Sequence, residues 1–248
     1  MLYIIGTGLW RGDDISVRGA EVCKMCSKVY LDGYTRMFEY VELERLCHVI
    51  GKEPVIVERN ELEERLSFLD EAKHSNVALL VPGDPMIATT HITIVIEAKR
   101  RGIDYEIIHG SSVYDALIGE TGLHIYKIGG SCTIPMREKG IRPYSVYEKI
   151  ASNLREGLHT IVFLDTSPLQ RLSVGDALDI LREIEEERRG GVYDPDRKII
   201  VGCNIGSKSQ RIVYKSIREI ENMKFNGTCT LVFPGTLHFM EKELLDML

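Results

Sequence analysis

Short apolar runs and amphipathic helical patterns alternate without exception through the first half of the chain. A few consecutive apolar residues are typical of a buried strand, and apolar residues recurring every three or four positions are typical of a helix. Strict alternation of the two predicts a mainly parallel sheet covered by helices on both faces. We predict strands over 3–5, 28–31, 55–57, 77–81 and 105–109, and helices over 16–26, 39–49, 61–73 and 86–101.

The pattern changes after the small-residue stretch HGSSV at 109–113. The runs around 199–201 and 212–214 are close enough in sequence to pair directly, so this half is expected to form a mixed sheet with antiparallel pairs. We therefore predict two α/β domains, over 1–110 and 111–248. In the second, strands are expected within 124–130, 160–165, 197–207, 211–217 and 229–235, and helices over 146–156 and 173–189.

Charge and hydropathy exclude several classes of partner. The net charge of −6 and the pI near 5.7 argue against a nucleic-acid partner, because binding to a phosphate backbone needs a basic surface. No apolar run reaches the roughly 18 residues of a membrane span. The opening MLYIIGTG lacks the basic leader of a signal peptide and fits a first strand better. These features predict a cytoplasmic protein with no membrane partner.

The six cysteines suggest no metal or redox site. Cys23 and Cys26 form a C-x-x-C inside a helical pattern, not at a helix start, where a thiolate would be stabilised. No second C-x-x-C and no nearby histidine pair completes a zinc site. The other four, Cys47, Cys132, Cys203 and Cys229, are scattered, so reduced core thiols are expected throughout.

The stretch IIGTGLWRGDD only partly resembles a dinucleotide-binding fingerprint. That motif requires G-x-G-x-x-G with a helix that begins at once, so that the pyrophosphate meets helix amides. Here the third glycine comes one residue late, and the first good N-cap is Ser16. A loop that leaves room between strand and helix is favoured over nicotinamide binding.

The stretch VALLVPGDPMIATTH, at 77–91, begins as an apolar core strand. The strand is followed by Asp84, which lies between two prolines. In one interpretation Asp84 is the N-cap of the next helix and Pro85 its first residue. In the other, Asp84 lies at the carboxyl end of a parallel strand, where open α/β sheets bind ligands, and accepts hydrogen bonds from ribose hydroxyls. The residues alone leave both interpretations open.

Four segments together resemble the tetrapyrrole methylase fold class and, within it, diphthine synthases of the archaeal type. They are IIGTGLWRGDDISVRGAEVCKMCSKVYLDGYT, GDPMIATTH, HGSSVYDALIGETGLHIYKIG and TLVFPGTLHFMEKELL. The GDP step is shared across the fold class, whereas ATTH, SSVYDALIGETGL and the VFPGTLHFMEKELL ending point to this one family. The resemblance spans essentially the whole chain. It departs at Arg36, where a small residue is expected after Tyr34 and Thr35.

The resemblance implies a methyltransferase that uses S-adenosyl-L-methionine and releases S-adenosyl-L-homocysteine. The implied substrate is a protein resembling translation elongation factor 2, on which a modified histidine carries a 3-carboxy-3-aminopropyl group in diphthamide biosynthesis. Its amino group would be methylated repeatedly to the trimethylammonium stage, diphthine. The family also implies a homodimer with the cofactor in a cleft between the two domains, and no metal is needed because positioning can supply most of the catalysis.

Carrying the family's cofactor contacts onto this sequence gives eight residues. Most are apolar, as expected for a slot that holds adenine and methylene groups with few polar anchors. They are Leu9, Asp84, Ile87, Ser112, Val113, Leu164, Ile205 and Cys229. No residue is identified as the base that takes the amine proton. His91, which follows ATT, is a candidate, but a histidine that only packs against the start of the helix is an equal alternative.

Two other functions remain open at the sequence level. The first is a methyltransferase of the same fold that acts on a tetrapyrrole ring, such as a precorrin or uroporphyrinogen. The second is a cofactor-binding scaffold without turnover.

Overall fold

Five strands form the parallel sheet of the first half, in the order β3-β2-β4-β1-β5. The structure, a computed structural model, describes residues 1–33, 39–137, 142–166 and 170–248, so Tyr34, Thr35 and Arg36 lie outside the described residues. The described chain divides into two compact units, Met1–Val113 and Tyr114–Leu248. The strands are β1 Leu2–Gly6, β2 Lys28–Asp32, β3 Val55–Val57, β4 Val77–Val81 and β5 Tyr105–Ile108.

Helices cover both faces of this sheet, as the alternation predicts. Neighbouring strand residues point to opposite faces, so Ile4 packs with Phe68 and Ile94 while Ile5 packs with Ala20 and Leu46. The central strand β4 is buried along its whole length, which explains its unbroken apolar run. The helices are α1 Val17–Met25, α2 Tyr40–Ile50, α3 Ser67–Ala72 and α4 Ile92–Arg100, with a short π-helical turn at Glu61–Arg65.

Two helix predictions in this unit are wrong in detail. The helix expected over 61–73 is broken at Leu66, whose φ of 51° lies in the left-handed region. The helix expected from 86 begins only at Ile92. There the Thr89 hydroxyl donates to the Pro85 carbonyl at 2.6 Å, taking the acceptor that a helical amide would use, and Ala88 has a φ of 55°.

The second unit contains a mixed sheet in the order β6-β7-β10-β8-β9. The predicted direct pairing is confirmed, because β8 and β9 are antiparallel with Ile200 opposite Tyr214. The strands are β6 Cys132–Ile134, β7 Thr160–Leu164, β8 Lys198–Cys203, β9 Arg211–Ser216 and β10 Cys229–Phe233. The helices are α5 Val113–Thr121, which begins in the first unit, α6 Tyr144–Arg155, α7 Val174–Arg188, α8 Ile217–Glu221 and α9 Phe239–Leu245.

The strand expected within 124–130 is wrong. Residues Ile125–Lys127 form a single 3-10 turn, and Tyr126 is almost fully exposed. The strand β6 instead follows at Cys132–Ile134, where Ile134 reaches the core. The few apolar residues of HIYKIGG fit a short turn as well as a strand, so such a run does not distinguish the two.

Every helix in the described part of the chain falls short of the length and apolar character that a membrane span requires.

Candidate functional site

Three glycines at or just after the ends of the neighbouring strands β4, β1 and β5 have backbones in close contact. A Cβ atom placed on Gly6 would lie 2.5 Å from the carbonyl oxygen of Gly83 and 2.6 Å from the amide nitrogen of Gly110. Gly8 and Gly83 also exchange backbone hydrogen bonds, at 2.8 and 3.3 Å. Only glycine permits this approach, so the loops after β1, β4 and β5 converge at the carboxyl edge of the sheet.

Asp84 joins two of these loops. Its Oδ1 atom accepts a hydrogen bond from the Met86 amide at 2.9 Å. Its Oδ2 atom accepts from the Gly110 amide at 3.3 Å and lies 2.8 Å from Nδ1 of His109. The side chain is buried, and α4 begins at Ile92 with His91 as its N-cap residue. The interpretation of Asp84 as a helix cap is therefore wrong, since its carboxylate closes a turn and ties it to the end of β5.

Five of the eight predicted cofactor residues lie in these converging loops. Leu9 follows Gly8 and is half-buried, and Ile87 follows Asp84 with 37% of its surface exposed. Ser112, which is buried, and Val113, where α5 begins, come two and three residues after Gly110. Residues far apart in sequence are thus assembled at one edge of one sheet, which is where open α/β sheets bind ligands.

The loop after β1 leaves room before the first helix, as the sequence indicates. Asp14 accepts hydrogen bonds from the amides of Trp10 and Arg11 at 2.9 and 2.8 Å, which folds the loop back on itself. The helix α1 then begins at Val17, and the Ser16 hydroxyl caps it by accepting from Gly19. The N-terminus of α1 therefore comes too late for the dinucleotide arrangement.

The other three predicted residues lie together in the second unit. Leu164 ends β7, Cys229 begins β10, and Ile205 follows the end of β8. Because β10 runs antiparallel to both neighbours, these positions fall at one edge of the mixed sheet. All three are buried. Their role as cofactor contacts stays a prediction.

Two cysteines correct the expectation of reduced thiols. Cys203 and Cys229 face each other in the register of β8 and β10 and form a disulfide. Their separation of 26 residues hides this pairing in the sequence. Cys23 and Cys26 are free and buried, and burial raises the pKa of Cys23 to about 12, which leaves it an unreactive thiol.

His91 packs inside the first unit rather than facing outward. Its Nδ1 lies 3.1 Å from the Pro85 carbonyl oxygen, so that nitrogen carries the proton and donates it. Its Nε2 faces the carboxylate of Asp32, the last residue of β2. Sequence reasoning missed this pair and missed His109, although all three residues lie in segments that follow or end parallel strands.

Among the described residues there is no group of three or more His, Cys, Asp or Glu side chains arranged to hold a metal ion.

The chain is similar to one family of known proteins along nearly its whole length. Residues 1–221 match the family described as Tetrapyrrole (Corrin/Porphyrin) Methylases. Diphthine synthase of Methanocaldococcus jannaschii is 33% identical over 254 residues, covering 100% of this chain and 98% of the relative. An Arabidopsis thaliana relative named "Probable diphthine methyl ester synthase" is 35% identical over 270 residues, covering 99% and 97%. A crystal structure of diphthine synthase superimposes with a TM-score of 0.88 at 34% identity, covering 99% of this chain and 94% of that one.

Proposed function

The chain belongs to the tetrapyrrole methylase family and groups with its diphthine synthases, and on that premise we propose that it methylates a protein-bound amine. The substrate is translation elongation factor 2 whose modified histidine carries a 3-carboxy-3-aminopropyl group. The enzyme transfers methyl groups repeatedly to the amino group of that side chain. The observation that carries this function is the match to diphthine synthases over the full chain, including the LHFMEKELL ending.

The residues of the converging loops suit S-adenosylmethionine, whose sulfonium supplies the methyl group when it is bound. A Cβ placed on Gly83 would meet no described atom within 4 Å, so this turn has open space beside it. Ile87 and Leu9 lie in the same converging loops and offer apolar surface. Asp84 accepts three hydrogen bonds, which leaves one of its roughly four lone-pair positions for a hydroxyl donor. Apolar walls with a few polar anchors are the usual lining of a nucleoside site.

The test is incubation with labelled S-adenosylmethionine and either modified elongation factor or uroporphyrinogen. Label on the elongation factor supports the proposal. Label on the tetrapyrrole instead would favour a ring methyltransferase, and label on neither would favour a scaffold. Mass spectrometry of the product counts the methyl groups and shows whether one of them is a methyl ester, the kind of product that the name of the Arabidopsis relative mentions.

A loop variant links that activity to the proposed cofactor residues. Ile87→Glu places a charge on the apolar surface beside Asp84 and is expected to weaken S-adenosylmethionine binding by at least tenfold, since 1.4 kcal/mol corresponds to a factor of ten. Ile96→Glu on α4 is the matched control, because Ile96 is similarly exposed but lies on a helix face. Equal calorimetric affinities for the two variants would count against this site.

The proposal extends to the assembly and location of the enzyme. We propose a homodimer, on family resemblance, and a cytoplasmic location, where translation takes place. Light scattering at micromolar concentration is expected to give twice the chain mass of 28.1 kDa. A monomer mass would overturn the dimer and leave the proposed activity unaffected.

A further inference from the structure

His109 directly follows the last residue of β5, and only one of its two ring nitrogens has a hydrogen-bond partner among the described residues. Its Nδ1 lies 2.8 Å from Oδ2 of Asp84, while 70% of its side chain is exposed. An ionised carboxylate can only accept, so Nδ1 carries a proton and donates it. In a neutral ring the other nitrogen, Nε2, is then an acceptor, and it has no hydrogen-bond or ion-pair partner among the described residues.

The other titratable groups in the loops after β1, β4 and β5 are already engaged. Arg11 pairs with Asp13, and Asp14 accepts two backbone amides. His91 is buried, with its two nitrogens facing a carbonyl and a carboxylate, and Asp84 accepts three hydrogen bonds. At this edge of the sheet, His109 alone among the described residues of these loops combines a fixed orientation with an open acceptor nitrogen.

The reaction needs such an acceptor, because an ammonium group has no lone pair with which to attack a methyl group. Resting on the proposed function, we propose that His109 is the general base and that Asp84 is the residue that positions it. Nε2 takes a proton from the substrate ammonium, and the freed lone pair forms the new N–C bond as the S–C bond breaks, with that bonding pair kept by sulfur. The exposed imidazolium then releases its proton to water.

The same cycle serves each successive methyl transfer. The monomethylated and dimethylated products are again ammonium groups, and each loses one proton to His109 before the next attack. The trimethylammonium product has no proton left to lose, so N-methylation ends there. A carboxylate that holds Nδ1–H and leaves Nε2 bare is the same arrangement that orients the base histidine in hydrolase triads.

The first test reads the tautomer of His109 without cofactor or turnover. Nitrogen NMR of the ring at neutral to mildly alkaline pH is expected to show the Nδ1-protonated form, assigned by the loss of its signals in His109→Asn. In Asp84→Ala, which removes the acceptor beside Nδ1, the ring is expected to lose this preference. A wild-type ring protonated on Nε2 would overturn the proposal, because that tautomer has no acceptor facing outward.

The second test separates proton transfer from positioning. In His109→Asn the amide nitrogen can still donate to Asp84, but the Nε2 acceptor is gone. We expect kcat at pH 7 to fall on the order of 100-fold, with the dissociation constant of S-adenosylmethionine unchanged. The deficit is expected to shrink as the pH rises and hydroxide deprotonates the amine, and free imidazole is expected to rescue His109→Ala. His74→Asn, at an exposed histidine before β4 on the opposite edge of the sheet, is the matched control.

The outcomes distinguish this proposal from the function on which it rests. Wild-type protein that methylates elongation factor while His109→Asn keeps its kcat and pH profile overturns the base assignment alone. A variant whose defect lies only in cofactor affinity also overturns it and leaves His109 a structural residue. Wild-type protein that transfers no methyl group to elongation factor overturns both proposals.

Discussion

The Nε2 atom of His91 lies 3.5 Å from Oδ2 of Asp32, and both side chains are almost completely buried. The same ring donates through Nδ1 to the Pro85 carbonyl. His91 thus connects the end of β2 with the loop that carries Asp84 and Ile87, so its contacts support the conformation of the candidate site without facing it.

His91→Ala is expected to destabilise the first unit and loosen this loop. It removes the donor to Pro85 and the imidazole beside the Asp32 carboxylate, and losing a buried hydrogen-bond partner costs about 1–3 kcal/mol. Denaturant unfolding measures this loss, and calorimetry should show weaker S-adenosylmethionine binding. His74→Ala, at the exposed histidine before β4, is the control and should change neither quantity. Unchanged stability in His91→Ala would show that the pair contributes nothing.

Asp84→Asn is expected to lower both stability and cofactor affinity. If the Asn oxygen replaces Oδ2 and accepts from Gly110 and His109, its amide faces the Met86 N–H, and two donors then oppose each other. The expected loss is about 1–3 kcal/mol in the free energy of unfolding. A melting temperature equal to that of wild type would show that the three hydrogen bonds do not stabilise the fold, regardless of the measured affinity for S-adenosylmethionine.

Acid is expected to destabilise the second unit through Glu241, which is fully buried. Burial opposes its ionisation, but the amides of His124 and His238 and the side chains of Lys127 and His159 outweigh this and lower the pKa to about 2. A carboxyl group with a depressed pKa stabilises the fold above its unfolded pKa, here 4.5, and loses that contribution as the pH falls towards 2. The contribution amounts to roughly 3 kcal/mol at neutral pH.

Unfolding free energies measured from pH 7 down to pH 2 test this expectation. Burial also lowers the pKa of His159, so its protonation adds to the loss as the pH falls below the ordinary histidine range. Glu241→Gln should be less stable at pH 7 and should show a flatter pH dependence below 4.5. If the unfolding free energy of Glu241→Gln falls with pH as steeply as that of wild type, other groups cause the acid sensitivity.

The cross-strand disulfide predicts a specific thiol count. Of the six cysteines, Cys23, Cys26, Cys47 and Cys132 are free, so denatured, unreduced protein should show four reactive thiols, and six after reduction. A disulfide closing a loop of this length typically contributes about 2–4 kcal/mol. Cys203→Ser should therefore lower the melting temperature of oxidised protein to that of reduced protein. Six thiols before reduction would contradict the bond.

The local sequence determined most of the first unit. Apolar runs of three to five residues between helical patterns indicate buried parallel strands, because burial on both faces leaves no polar alternation, and all five predicted strands of that unit are confirmed. Pro82 and Gly83 mark the end of β4 in the sequence, which therefore predicts that Asp84 lies at the carboxyl edge of the sheet. The family resemblance added the cofactor and the substrate, which no periodicity could supply.

Tertiary structure alone decided the partners of these residues. The carboxylate of Asp84 accepts from the Gly110 amide, 26 positions later. The ring of His91 lies beside a carboxylate at the end of β2, and Cys203 lies opposite Cys229 in a strand pair. The late start of α4 has a local origin instead, because the side chains of Thr89 and His91 contact the Pro85 carbonyl that a helical amide would use. Periodicity reports which face of an element is buried, whereas hydrogen bonds between distant loops depend on sheet order and register, which a single sequence does not display.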